Sequence, residues 1–328
     1  MTAEPTPAQV TVRVPGKINL ELVVGPRRSD GYHELVTVFQ AVSVYDEVRV
    51  EPAPDWSVTM GGPHGAAVPA DGPNIALAAA RALAERADDF IEIGSVSSVG
   101  PVAISIDKHI PVAAGMAGGS ADAAGALVAC AELWDLSVLR EDLEVIARGI
   151  GADVPFMLHG GTAVGAGRGD TISPVLARGA AHWVLWISTG EGLSTAEVYA
   201  EFDRLHGEEE PCAPQLSSRL ASALRTMDPE AMGASLHNNL APAALSLRPQ
   251  LQAVLDAGLD LGACGAVISG SGPTVAFLVS SPAEALDLSM GLAVRGPGGD
   301  IVRATGPVSG AHVIDSRGHG AGPRLGSV

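Results

Sequence analysis

Two polar side chains, Lys17 and Asn19, stand two residues apart just after Pro15 and Gly16. Because side chains alternate across a β-strand, an ammonium and an amide at this spacing lie on the same face. Together they can bind a phosphoryl oxygen. A lysine on an exposed strand edge can equally serve solubility alone. The segment therefore indicates either a phosphate contact or a surface strand.

A loop of small residues, 111–119, runs from a predicted strand into a predicted helix that begins at Ser120. At such a helix N-terminus the backbone N–H groups point outward, and the helix dipole adds about half a positive charge. A phosphate group can bind there, or the small residues serve only close packing. The loop contains neither G-K-[ST] nor G-x-G-x-x-G, which excludes a P-loop NTPase and disfavours a dinucleotide-binding Rossmann domain.

Three further segments place polar or aromatic groups where chemistry is possible. Asp153, enclosed by apolar residues just after a predicted helix, serves either as a turn or capping residue or as an active-site carboxylate. Tyr32 and His33 follow an Asp-Gly turn and either cover the end of a hairpin or contact a ligand. Residues 270–274, Gly-Ser-Gly-Pro-Thr, form a hairpin turn or a second loop that approaches phosphate.

The composition limits the partners of the chain. It has 20 Lys and Arg against 37 Asp and Glu, a net charge of −17, which argues against binding to nucleic acids and to anionic membranes. Cys130, Cys212 and Cys264 contain no C-x-x-C pair and predict neither a disulfide framework nor a zinc site. The N-terminal residues do not resemble a signal peptide, so we expect a cytoplasmic protein.

The elements that must position these residues mix strand and helix signals. Alternating apolar residues between positions 10 and 44 predict antiparallel strands, and residues 74–86 predict a helix with Asn74 as its N-cap. A strand over 102–107 and a helix over 120–134 flank the small-residue loop. Because no regular βαβ alternation persists, the pattern favours an α+β protein, with a domain boundary between residues 165 and 180.

Taken in order, residues 15–20, the small-residue loop and the late glycine-rich turn resemble the motifs of the GHMP kinase superfamily. Residues 30–35, Asp-Gly-Tyr-His-Glu-Leu, and residues 151–155 are similar to members that act on a cytidine diphosphate alcohol. The resemblance implies a two-domain α+β fold. Residues 1–172 would form an N-terminal ATP-binding domain like ribosomal protein S5, with a left-handed βαβ crossover. Residues 173–308 would form a ferredoxin-like C-terminal domain, and residues 309–328 a disordered tail.

The resemblance also implies an activity: ATP-dependent phosphorylation of the 2-hydroxyl of that alcohol, with Mg²⁺, in isoprenoid precursor biosynthesis. Lys17 and Asp153 match the catalytic pair. Besides Asp153, the residues expected to bind the substrate are Asn19, Tyr32, His33, Thr195 and Tyr199. The residues expected at the nucleotide are Pro111, Val112, Ala113, Ala114, Gly115, Met116, Ala117, Gly118, Gly119, Ser120 and Ala121, with Asn74 and Lys108 near the adenosine and Ser120 also on Mg²⁺. A GHMP-type kinase of another small alcohol and a non-catalytic ligand sensor are the alternatives.

The loop departs from the family pattern at Ala113, Ala114 and Ala117, which replace glycines. Because a left-handed alanine costs about 1 kcal/mol, we expect all three to have negative φ; otherwise nucleotide affinity is altered. We also expect Lys17 and Asp153 to form a salt bridge. A base is expected to stack between the rings of Tyr32 and Tyr199.

Overall fold

An eight-stranded sheet and a four-stranded sheet, with helices packed on them, form the computed structural model. It describes residues 8–69, 72–91, 98–177, 179–190, 192–207 and 212–317. This mixture of largely antiparallel sheets and helices confirms the α+β fold class. None of the helices in these ranges is long and apolar enough to cross a membrane.

The N-terminal half opens with two long antiparallel strands, as the alternation of apolar residues predicts. The helix that follows is capped by Asn74, whose side chain accepts hydrogen bonds from the backbone N–H groups of Ala76 and Leu77. The elements of this half are β1 (Gln9–Arg27), β2 (His33–Pro52), β3 (Ser57–Gly61), α1 (Ile75–Glu85), β4 (Val102–Asp107), α2 (Gly118–Leu133), α3 (Arg140–Ile150), α4 (Val154–His159), β5 (Thr162–Gly167) and β6 (Thr171–Val175).

Helix α2 lies deep in the N-terminal half because its small residues allow close packing on the sheet. A Cβ added at Gly125 would stand 2.6 Å from a methyl group of Val48 and 2.9 Å from one of Val14. Most of the helix is buried on all sides. The N-terminus of α2, with the small-residue loop before it, is therefore held rigidly against β1 and β2.

The C-terminal half supplies the four-stranded sheet, in the antiparallel order β11-β7-β10-β9. With helices between β7 and β9 and between β10 and β11, this is the ferredoxin-like arrangement that the resemblance implies. The elements are β7 (Ala181–Ile187), α5 (Thr195–His206), α6 (Ser218–Thr226), α7 (Pro229–Gly233), β8 (His237–Asn238), α8 (Ala241–Leu247), α9 (Gln250–Asp260), β9 (Gly265–Ile268), β10 (Val275–Val279), α10 (Pro282–Arg295), β11 (Asp300–Gly306) and β12 (His312–Arg317).

Two strands of the C-terminal half join the larger sheet. Its main path is β12-β1-β2-β4-β3; β5 also pairs with β2 and with β6, and β8 pairs with β1. The expectation of a disordered tail over 309–328 is therefore wrong for residues 312–317, which pair with β1; residues 318–328 lie outside the described residues. Strands β3 and β4 are parallel, with α1 between them in sequence. The left-handed crossover and the division at residue 172 stay predictions.

Candidate active site

The segments singled out in the sequence meet around one cavity of about 880 Å³. Its wall combines β1, the turn before β2, the small-residue loop, the start of α4, helix α5 and the turn after β9. Of the predicted site residues, those that line it are Lys17, Asn19, Tyr32, His33, Pro111, Ala113, Ala114, Gly115, Ala117, Gly118, Gly119, Asp153, Thr195 and Tyr199. Two halves of the chain therefore contribute to a single site.

Lys17 is almost fully buried at the floor of the cavity. Its ammonium donates to Oδ1 of Asn19 at 2.7 Å and to the carbonyl of Gly115 at 2.9 Å. Burial lowers the pKa of Lys17, and the charge of Asp153 opposes this by raising it. The two side chains thus interact through the cavity, but the predicted salt bridge is wrong. The ammonium instead takes uncharged acceptors on its own strand and on the loop.

Asp153 occupies the residue before α4 and is partly buried. Its side chain accepts no capping hydrogen bond from the helix, which removes the capping role considered for it. Burial, and to a smaller extent the charge of Asp153, raises the pKa of Tyr199 to about 12. A carboxylate that faces both Lys17 and Tyr199 across the cavity can accept a proton from a bound hydroxyl group.

The small-residue loop turns through left-handed backbone conformations. Ala113 has φ 53° and Ala117 φ 56°, so the expectation of negative φ is wrong for both; Ala114 is not among the residues with positive φ. The reason is confinement of the loop between β1 and the turn after β9. The Met116 carbonyl accepts from the backbone N–H of Lys17 at 3.2 Å, and the Ala114 carbonyl from that of Thr274 at 3.3 Å. These bonds offset a strain of about 1 kcal/mol at each alanine.

Glycine is required at the centre of this loop. Gly115 has φ 77°, and a Cβ there would collide with the backbone carbonyl of Ser269. The Gly115 carbonyl also accepts from the hydroxyl of Ser269 at 3.0 Å. The turn over residues 270–274 therefore packs against the loop and supports it. Gly270 and Ser271 of this turn line the cavity beside the loop.

The remaining predicted site residues do not line the cavity. Met116 and Ala121 are fully buried in the core, and the Asn74 side chain caps α1. Val112, in the loop, and Ser120, in the first turn of α2, are both partly buried. The sixth is Lys108, which lies beneath the loop.

Lys108 belongs to a buried ion cluster and does not line the cavity. Its ammonium lies 2.5 Å from Asp46 and 2.8 Å from Asp122, and all three side chains are nearly inaccessible. The second oxygen of Asp46 accepts from the backbone N–H groups of His109 and Ile110 at 2.6 and 2.7 Å. Burial raises the pKa of Asp122, and its Oδ1 has no hydrogen-bond partner. This cluster fixes the backbone that enters the loop.

Aromatic rings form the opposite part of the cavity wall. The ring of Tyr199 stacks on that of His33, with centroids 5.2 Å apart and planes 23° apart. His33 Nε2 lies 2.8 Å from Oδ1 of Asp203. Tyr32 is 57 % exposed, and the guanidinium of Arg168 lies 5.4 Å from its ring centroid. Since Tyr199 already stacks on His33, a base between Tyr32 and Tyr199 stays a prediction.

Several cavity residues were missed in the sequence. Asp203 lies four residues after Tyr199 and eight after Thr195, so helical spacing alone places all three on one face of α5. Ser271 lies in the glycine-rich turn, and its hydroxyl is 3.0 Å from that of Thr195. Arg168 and Thr37 carried no recognisable signal, because they reach the cavity only through the pairing of β2 with β5 and the turn before β6.

Within the described ranges, no cluster of three or more His, Cys, Asp or Glu residues is arranged to hold a metal ion. Of the two cavity aspartates, Asp203 lies 2.8 Å from His33, which leaves Asp153 to hold a divalent cation together with the phosphates of a nucleotide. Mg²⁺ commonly keeps waters and takes one or two protein carboxylates. The donor set of the cavity thus fits a cation that arrives with a nucleotide and does not fit a resident metal.

Family models match both halves of the chain: that of the GHMP kinases N terminal domain over residues 74–161, and that of the GHMP kinases C terminal over residues 220–289. The 4-diphosphocytidyl-2-C-methyl-D-erythritol kinase of Mycolicibacterium gilvum is 51 % identical over 308 residues, which cover 93 % of this chain and 92 % of the relative. The corresponding kinase of Thermobifida fusca is 49 % identical over 318 residues, covering 94 % of this chain and 99 % of the relative.

Solved structures agree with these matches. A crystal structure of 4-(cytidine 5'-diphospho)-2C-methyl-D-erythritol kinase superposes with a TM-score of 0.69 at 32 % identity, covering 90 % of this chain and 98 % of that one. The L. major mevalonate kinase, solved with R-mevalonate, superposes with a TM-score of 0.70 at 18 % identity, covering 94 % of this chain and 99 % of that one. At that identity the second likeness concerns the fold alone.

Proposed function

This chain belongs to the family of 4-diphosphocytidyl-2-C-methyl-D-erythritol kinases, and we propose that it transfers the γ-phosphoryl group of ATP to the 2-hydroxyl of that cytidyl alcohol. The observation that carries the proposal is the set of residues that line this one cavity. One part has Lys17, Asp153 and a loop ahead of a helix N-terminus, and the other part has stacked rings. This combination suits a reaction between a nucleoside triphosphate and an alcohol that itself carries a nucleobase.

The catalytic roles follow from what phosphoryl transfer requires. The transition state is loose, so the enzyme has to position the reactants and neutralise charge more than it has to form covalent bonds. Asp153 accepts the proton of the 2-hydroxyl and orients that oxygen for attack. The ammonium of Lys17, buried and held by Asn19 and Gly115, stabilises the transferring phosphoryl group.

The nucleotide site comprises the small-residue loop and the first turn of α2. Gly118 and Gly119 line the cavity at the start of the helix, and their backbone N–H groups bind phosphate oxygens in this proposal, with the helix dipole adding to their effect. Mg²⁺ bound with the nucleotide would neutralise further phosphate charge, and Asp153 is the residue that would hold it; Ser120, also predicted as a ligand, does not line the cavity.

The base of the cytidyl alcohol would lie at the aromatic part of the cavity. Tyr32 has an exposed ring, and the stacked pair of His33 and Tyr199 offers a flat face and polar ring atoms. Cytosine binds to such groups through its π-face and its Watson–Crick edge. Thr195, whose hydroxyl lies beside that of Ser271, contacts the phosphates between the base and the erythritol in this proposal.

A coupled ADP-release assay with the purified chain tests the proposal. The substrate panel contains 4-diphosphocytidyl-2-C-methyl-D-erythritol, homoserine and R-mevalonate, each with MgATP. We expect ADP release that depends on the cytidyl alcohol, and phosphorus NMR should place the new phosphate on the 2-hydroxyl. Preference for another alcohol would identify a kinase of different specificity. Binding of the cytidyl alcohol without turnover would identify a ligand sensor.

A further inference from the structure

A threonine outside every sequence motif ends a chain of hydrogen bonds that leads to Lys17. The ammonium of Lys17 donates to Oδ1 of Asn19 at 2.7 Å. Nδ2 of Asn19 donates to the hydroxyl of Thr37 at 2.8 Å. That hydroxyl donates to the backbone carbonyl of Glu21 at 2.7 Å. Lys17, Asn19 and Thr37 are all buried, Thr37 to within 1 % of full burial.

The donor and acceptor of each of these hydrogen bonds follow from the last one, between Thr37 and Glu21. A backbone carbonyl only accepts, so the single hydroxyl proton of Thr37 is committed to Glu21. The Thr37 oxygen must then accept, which requires the NH₂ group of Asn19 on its side. The amide oxygen of Asn19 consequently faces Lys17, whose ammonium only donates. Thr37 and Lys17 therefore require the same orientation of the Asn19 amide, and Thr37 anchors its NH₂ end.

The rotamer of Thr37 is itself fixed by packing. A Cβ built at Gly165, on the paired strand β5, would stand 3.1 Å from the methyl group of Thr37. The β5 backbone thus lies against the methyl branch, and the hydroxyl branch is left to face β1. Since β-branched side chains are stiff at χ1, the hydroxyl has little freedom to leave this position.

We propose that Thr37 is a positioning residue, which holds the Asn19 amide with its oxygen toward Lys17 and thereby places the ammonium for phosphoryl transfer. The inference rests on the proposed function for its catalytic consequence, but the hydrogen bonds on which it depends do not. Without the hydroxyl, the NH₂ group of Asn19 loses its acceptor, so the amide is held only by Lys17 and the ammonium loses its firmly fixed position.

Four variants of the full chain test the proposal: Thr37→Val, Thr37→Ser, Asn19→Ala and the double variant of Thr37→Val with Asn19→Ala. We expect Thr37→Val to lower kcat about 10- to 100-fold with KM for ATP within about twofold, the effect of a displaced catalytic group. Thr37→Ser, which keeps the hydroxyl, should recover most of kcat. In the Asn19→Ala background, Thr37→Val should have no further effect on kcat, because Thr37 acts through Asn19.

Thr162→Val is the matched control. Thr162 is also a buried strand threonine, and its hydroxyl accepts from Gln40 at 3.1 Å, but it does not line the cavity. The control measures what the loss of a buried hydroxyl does to Tm and kcat by itself. The proposal is wrong if Thr37→Val lowers kcat no more than Thr162→Val does, or if its effect simply adds to that of Asn19→Ala.

A measurement without turnover separates this inference from the proposed function. The chain has four asparagines, so ¹⁵N-asparagine labelling makes the side-chain NH₂ of Asn19 observable by NMR. In the wild-type chain this NH₂ should exchange slowly with solvent, and Thr37→Val should accelerate the exchange more than tenfold. An inactive wild-type chain with this exchange pattern would contradict the proposed function alone. Unchanged exchange in Thr37→Val would contradict the inference.

Discussion

The ammonium of Lys17 donates a 2.9 Å hydrogen bond to the carbonyl of Gly115, 98 residues further along the chain. The bond joins the strand that carries the proposed catalytic lysine to the loop proposed to bind phosphate. The hydroxyl of Ser269, from the C-terminal half, donates to the same carbonyl. One peptide group thus links three segments, and a displacement of the loop is transmitted directly to the lysine.

Asp153→Asn should lower kcat about 10²- to 10⁴-fold, the range for loss of a general base, with little change in KM for ATP. The amide keeps the size of the carboxylate but cannot accept the hydroxyl proton. Steady-state kinetics with the cytidyl alcohol measure both constants. Asp55→Asn, a neutralisation at an exposed position, serves as control and should leave both unchanged. A variant that keeps most of its kcat would make Asp153 a structural residue.

Tyr199→Ala should raise KM for the cytidyl alcohol about 10-fold, because stacking on a base contributes roughly 1–3 kcal/mol. The substitution also removes the ring on which His33 stacks, and so loosens the neighbouring wall. KM for ATP should stay within about twofold. Tyr199→Phe is the matched control, since it keeps the ring and should keep KM. An increase confined to KM for ATP would show that the base lies elsewhere.

Ala113→Gly and Ala117→Gly should each raise the free energy of unfolding by roughly 0.5–1 kcal/mol, because glycine relieves the left-handed strain at these positions. Ala114→Gly, between them in the same loop, should lower it, since this residue lacks positive φ and gains only conformational entropy in the unfolded chain. Urea unfolding, with m-values equal to that of the wild-type chain, measures the free energy of unfolding of the three variants. Equal destabilisation by all three variants would contradict the strain argument.

Asp122→Asn should stabilise the fold more at high pH than at low pH. Burial raises the pKa of Asp122 in the folded protein from 3.8 to about 8, so the folded state keeps a proton that the unfolded chain has already lost between these values. The Asp122 contribution to the free energy of unfolding therefore falls as pH rises across this window. An asparagine has no such proton. In urea unfolding, the free energy of unfolding of Asp122→Asn minus that of the wild-type chain should therefore be larger near pH 8 than near pH 5. Asp55→Asn controls for general charge effects, and an advantage that does not vary with pH would refute the assignment.

The local features of the fold follow from the sequence. Alternating apolar residues predicted β1 and β2, and the Pro-Asn pair before an alanine-rich run predicted the capped start of α1. Likewise, each of the five chemistry-bearing segments reached the cavity as expected. These features depend on periodicity and on contacts within a few residues, which a single sequence contains.

Features that depend on residues far apart in the sequence could not be predicted from the sequence. The left-handed φ of Ala117 is imposed by hydrogen bonds to other segments, and composition alone argued against it. Lys108 binds Asp46, 62 residues away in the sequence, and therefore does not line the cavity. The strand over residues 312–317 was not predicted, because the glycine-rich composition of the whole tail indicated disorder. This strand pairs with β1, which composition does not show. In each case the deciding interaction lies outside any local window.

The pairing of β12 with β1 also bears on how the chain folds. During synthesis, β1 emerges early, but residues Gln9–Arg13 face an open edge until residues His312–Arg317 have left the ribosome. Such long-range closure slows folding, and an unpaired strand edge invites pairing with other chains in the meantime. A nascent or C-terminally shortened chain would therefore be exposed to aggregation at the same strand that carries the proposed catalytic lysine.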